Sequence, residues 1–251
     1  MAKQFIYADP NIYDTGAITE GTIATTTFAS SSSMTNADRV VDQNISSVVS
    51  GWGQNDAIQI DMGASSSPNV CAIYMNTTTA ETETIKTYAS DDSTVGTALS
   101  SGALGVGWNI IDVSVTNKQY FYIRNTTASE WDYCAEILVG TKYTFDRNYD
   151  LGGQFGKKYG VSNMESYGGH EYSHKRHDGK KTWKWEWTRM TNAHMNSLVT
   201  LRDAVEGSRF KFIYYDDTDY HWVRMSDKSL QKKEIAYQTF NTNIELRQQL
   251  T

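Results

Sequence analysis

Apolar side chains recur at every second position in several short runs of this chain. Ala57-Ile58-Gln59-Ile60-Asp61-Met62 puts Ile58, Ile60 and Met62 on one face of an extended segment and Gln59 and Asp61 on the other. Residues 70–75 form a mostly apolar run, and further short segments follow at 84–90, 109–115, 120–124 and 135–139, each bounded by Gly, Ser, Asn or Asp. Many short extended segments separated by turn residues, with no helical period, predict a β-sandwich. Ahead of them, residues 11–50 are rich in Thr, Ser, Ala and Asn, and Ala29-Ser30-Ser31-Ser32-Ser33 reads as loop.

Beyond residue 140 the rhythm changes. Thr182-Trp183-Lys184-Trp185-Glu186-Trp187-Thr188 alternates strictly, with three Trp on one side and Lys184 and Glu186 on the other. That is a half-buried strand whose Trp row serves a sheet core or, as the lesser reading, a sugar-stacking platform. Thr191 or Asn192 caps a helix in which Met195, Leu198, Val199 and Val205 recur at helical spacing, and Gly207 fits the position just past its end. Residues 209–215 and 220–225 read as a hairpin closed by Asp216-Asp217-Thr218-Asp219, and 235–246 alternates again with Phe240, Ile244 and Leu246 on one face. The expected fold is mainly β: an N-terminal β-sandwich, residues 15–140, which the resemblance given below makes a jelly roll, after an arm of residues 1–14, then an α+β domain, residues 141–251, with one helix packed on a sheet.

Charge supports a division near Gly140. Residues 1–140 carry 5 Lys and Arg against 15 Asp and Glu, whereas 141–251 carry 18 against 14. An acidic sandwich is a poor partner for phosphates, and the positive charge of the second part is mixed with acids, so no nucleic acid is expected. No stretch has the length of a membrane span, and the first residues lack the apolar core of a secretion signal, so the chain is expected to be made in the cytoplasm, with any export by another route, and without membrane insertion. Cys71 and Cys134 show no metal or redox spacing and read as buried thiols.

Catalytic signals are weak. His170, His174 and His177 supply zinc-type ligands, but in a strand His177 points away from the other two, and Lys175 and Arg176 oppose a cation. Asp216, Asp217 and Asp219 suit a hard cation but suit a turn better. The glycines at 102, 105 and 107 lie among strands with no helix after them, so they do not cradle phosphate. With no nucleophile elbow and no zinc-protease helix, the chain is expected not to be an enzyme.

Two resemblances sharpen these expectations. Asn36-Ala37-Asp38-Arg39-Val40-Val41-Asp42-Gln43-Asn44, then Gly51-Trp52-Gly53, then Asp56 to Gly63, Phe121-Tyr122-Ile123-Arg124 and a closing Ala135-Glu136-Ile137-Leu138-Val139-Gly140 resemble the discoidin or galactose-binding-like jelly roll. The resemblance implies a sandwich whose end loops bind ligands, often sugars. It also implies a structural calcium held by Asp42 and Glu136, although Gln43 stands where the family usually has Gly. Trp52 would be scaffold, and Trp131, Asp132 and Tyr133 would form the exposed ligand contact. The second part, with its Trp strand, single helix, Phe210-Lys211-Phe212-Ile213-Tyr214-Tyr215 hairpin and terminal strand, resembles the C-terminal region of tailed-phage structural proteins. That implies a homo-oligomeric virion protein, made in the host cytoplasm, whose partners are other tail proteins and a host surface glycan; the alternative is a stand-alone lectin.

Overall fold

Alternation with turn residues between the runs produces antiparallel strands throughout, because each strand buries its apolar side and returns through a Gly, Ser, Asn or Asp turn. The computed structural model describes residues 3–9, 11–14, 18–23, 26–30, 32–78, 84–128, 130–145, 149–150, 152–226 and 230–249. The chain divides into two units, Ile6–Tyr143 and Thr144–Leu250, the latter taking in Met1–Phe5.

The first unit is a β-sandwich. One sheet has the order β10 (Cys134–Thr144), β5 (Val70–Met75), β8 (Gly107–Asp112), with Ile6 to Ala8 of β1 (Gln4–Ala8) beside β10. The other runs β3 (Phe28–Ala29), β2 (Ile18–Ile23), β4 (Asp56–Ser66), β9 (Lys118–Asn125), β6 (Thr84–Ser90), β7 (Ser100–Ala103). Ile58 and Ile60 lie opposite Ile123 and Phe121 in register and are fully buried, as the alternation of β4 predicts. The outer side of the same sheet has a second small core, where Ala57, Tyr88 and Tyr122 are covered by Ile23, Phe28 and Val95.

Residues 1–14, expected as an arm, are built differently. Phe5, Ile6, Tyr7 and Ala8 of β1 are buried, and a one-turn helix α1 (Asn11–Asp14) buries Ile12. Four consecutive apolar residues lose too much by staying in water, and β10 supplies a strand edge for them. Gly140 makes that pairing fit: a Cβ there would lie 2.1 Å from the carbonyl oxygen of Tyr7 and 2.8 Å from the Cα of Ala8.

The second unit is a helix on a sheet. Its strand order is β11 (Gln154–Glu165), β12 (Glu171–Thr191), β16 (Thr239–Gln248), β14 (Tyr220–Met225), β13 (Phe212–Tyr215), with β15 (Lys233–Ala236) also beside β16. Trp183, Trp185 and Trp187 are buried, so the Trp row is core. Trp185 stacks on Tyr149 at 5.1 Å and meets Tyr214 at 4.7 Å, and Trp187 stacks on Phe145 at 5.6 Å. Helix α2 (Asn192–Ala204) is capped by Thr191, whose hydroxyl accepts the His194 N–H, and buries His194, Met195, Leu198 and Leu201. The Asp216 carboxylate accepts N–H bonds from Thr218 (3.1 Å) and Asp219 (2.9 Å), which makes the acidic run a turn.

Candidate binding surfaces

At the loop end of the sandwich the three residues expected to contact ligand have separate fates. Trp131 has no exposed surface and is therefore not a ligand platform. It forms an isolated β-bridge with Trp52, with backbone bonds of 3.1 and 3.2 Å and ring centroids 5.0 Å apart. Its polar neighbours Glu130 and Asp132 suggest a surface loop, but the bridge turns the indole inward. Asp132 is exposed, yet its carboxylate accepts the Gly51 N–H at 2.8 Å and so ties two loops together. Tyr133 alone of the three presents an exposed ring. Trp52 is scaffold, as the resemblance implies: its indole N–H donates to the Asp56 carbonyl at 2.8 Å.

The two acids implied for calcium lie in unlike surroundings. Asp42 follows a 3-10 turn (Ala37–Val41), is exposed, and accepts the Asn44 N–H at 2.7 Å. Gln43 adopts φ +59°, the conformation a Gly there would take without strain. Glu136, in mid-strand opposite Tyr74, has no exposed surface. Burial first, and the Glu136 charge second, raise both the Tyr13 phenol and the Cys134 thiol. Among the described residues no three His, Cys, Asp or Glu side chains come together to hold a metal ion. Cys71 and Cys134 are free, buried thiols.

A hollow of about 530 Å³ lies on the outer face of the β2–β4–β9 sheet, lined by Gln59, Asp91, Asp92, Ser93, Tyr120 and Phe28 among others. Its floor is held by a relay in which Gln59 donates to the Tyr122 hydroxyl (3.0 Å) and that hydroxyl donates to the Asp92 carbonyl (2.7 Å). Burial, ahead of the neighbouring groups, pushes the Tyr122 phenol up. The hollow combines aromatic surface, an amide and carboxylates, the group types that orient a polyhydroxylated ligand. Its sequence signal was the aromatic and polar content of the outward positions of β4 and β9, which alternation assigns to solvent.

The second unit carries the most exposed apolar surface. Among the described residues, 171–181 of β12 pair only with β11, since β16 joins β12 from Thr182 onward. They form a two-stranded ribbon roughly 30 Å long at the usual rise per residue. Tyr159, Val161, Met164 and Tyr172 on it, and Tyr167 at its tip, are all more than half exposed. His170 and His174 are exposed there too, and His177 is half-buried with its Nδ1 2.6 Å from the Asp178 carbonyl. No helix among the described residues is long and apolar enough to cross a membrane.

No family profile matches the chain, and no curated protein matches it. Solved structures of a family 89 glycoside hydrolase from Clostridium perfringens align with part of it. The complex with its substrate GlcNAc-alpha-1,4-galactose aligns at 15% identity and a TM-score of 0.38, over 53% of this chain and 14% of that one. The complex with PUGNAc aligns at 16% identity and a TM-score of 0.36, over 49% of this chain and 14% of that one. The chain thus spans about 14% of the length of these hydrolases.

Proposed function

We propose that this chain is a structural protein of a phage virion, a tail component that joins its neighbours through the β11–β12 ribbon and displays the β-sandwich as a binding module. The ribbon is the observation that carries this reading. A two-stranded ribbon with both faces in water is marginal by itself. Its open edges are templates for pairing with another chain. Five large apolar residues along one such ribbon are a docking element, because burying each aromatic in a partner removes about 150–250 Å² from water on the usual scale of ~25 cal/mol per Å². The test is electron microscopy with mass determination of the purified full chain. Rings, tubes or attachment to virions are expected, and a variant with residues 159–175 replaced by a short turn should stay folded and lose the assembly. A strictly monomeric wild-type chain at all concentrations would overturn the proposal.

For the displayed module the reading is carbohydrate binding, and the hollow around Gln59, Asp92 and Tyr120 favours it over the Trp131 loop. Tyr120→Ala is expected to abolish binding to a glycan array without altering the melting temperature appreciably. Unchanged binding in that variant, or no binding by the wild type, would remove the hollow from consideration.

A further inference from the structure

The polar face of the second unit's sheet sets like charges directly opposite one another. Register places Arg224 of β14 against Arg247 of β16, and Lys158 of β11 against Lys180 of β12. Opposed residues on antiparallel strands stand only about 4.5–5.5 Å apart at Cα, and like charges there are destabilising. Among the described residues none of these four cations forms an ion pair. The Nε of Arg224 is buried without a hydrogen-bond partner among them. Burial first, then Arg247 and Arg224, lowers the Lys180 ammonium pKa. A hollow of about 420 Å³ opens beside Lys158, Arg224 and Arg247, with Ser208 and Gln249 in its wall; Glu245, its one acid, stands opposite Lys184 in register.

We infer that this cationic row receives carboxylates from the β-sandwich of a second copy, an inference that rests on the assembly reading above. The chain's own charge identifies the occupant. The unit Ile6–Tyr143 holds 5 Lys and Arg against 15 Asp and Glu, and the other unit holds 18 against 14. Asp38, Asp92 and Glu130 of the sandwich are exposed and form no ion pair among the described residues, whereas the exposed Asp91 and Asp112 already pair with Lys118 and Lys142. Arginine pairs with carboxylates in a two-pronged geometry, and two facing guanidiniums offer two such forks. The apolar ribbon continues the same two strands that carry Lys158 and Lys180, so one contact surface combines an apolar part with a charged rim. Because the contact joins two different patches, it is head-to-tail and grows into a ring or a filament.

The experiment uses an equal mixture of unlabelled and 15N-labelled full-length chain, cross-linked with a water-soluble carbodiimide that joins Lys amines to carboxylates at zero length. Mixed-isotope links from Lys158 or Lys180 to acids within residues 6–143 are expected. Links confined to the second unit, or none from these lysines, overturn the inference. In parallel, Arg224→Gln with Arg247→Gln is expected to weaken self-association by at least about tenfold, and added NaCl to do the same. The variant's urea stability should not fall, since it loses an opposed like-charge pair. An oligomer indifferent to both changes overturns the inference and leaves the assembly reading standing, whereas a wild type that never associates removes both. Dissociation by millimolar inorganic phosphate, but not by chloride at matched ionic strength, would assign the row to a phosphate ligand instead and also overturn it.

Discussion

Replacing Trp131 with alanine distinguishes a core indole from a ligand platform. The side chain has no exposed surface and lies against Trp52 with centroids 5.0 Å apart and planes inclined by 54°. Trp to Ala in a packed interior costs about 3–5 kcal/mol, of which the aromatic pair accounts for about 0.5–1.5 kcal/mol. For a unit with total stability of about 5–15 kcal/mol that is a large fraction. With a urea m-value of about 2 kcal/mol/M, the midpoint for the sandwich should fall by about 2 M. The indole N–H has no hydrogen-bond partner among the described residues, and an orphaned buried donor costs about 1–3 kcal/mol. Trp131→Phe should therefore lose much less than Trp131→Ala, since it gives up some packing and removes the orphan. Urea unfolding followed by far-UV circular dichroism reads both variants. A loss below about 1 kcal/mol in Trp131→Ala would mean that the ring is at the surface, and the reasoning from the Trp52 bridge would be refuted.

Gly140→Ala should lower sandwich stability by at least about 1–3 kcal/mol, because the added carbon meets the β1 backbone rather than a movable side chain; an unchanged thermal melt would count against that packing. The Asp216 carboxyl sits below the ordinary aspartate range: burial raises it, but the Asp219 and Thr218 N–H groups and His221, whose Nε2 is 2.7 Å away, outweigh burial. A lowered native pKa gives stability that is present above the unfolded value and is lost as pH falls through the native one, so Asp216→Asn should flatten the acid-side loss in the second unit. An acid unfolding curve unchanged by that substitution would refute the assignment. Burial pushes the Cys71 and Cys134 thiols up, so neither should react with a thiol reagent until the chain unfolds; rapid labelling of the native protein would place one of them at the surface.

Local pattern was enough wherever a face is decided by period alone. The alternation of residues 57–62 set the buried side of β4, the strict Trp alternation at 183–187 set the buried side of β12, and Thr191 with Gly207 bracketed α2. Side-chain direction in a strand or helix follows from the backbone, so the sequence carries that information directly. Three things depended on segments far apart in the chain. Trp131 reads as a loop residue until Trp52 supplies the bridge that turns it inward. Gln59 and Tyr120 look like solvated positions until loops from β3 and β6 raise walls around them. Arg224 and Arg247 look like ordinary surface charges until strand register sets them face to face. The ribbon shows the same limit from the other side: only the strand order reveals that, among the described residues, no strand but β11 pairs with residues 171–181. Which side of a strand faces inward is local, whereas what covers that side is decided by tertiary packing.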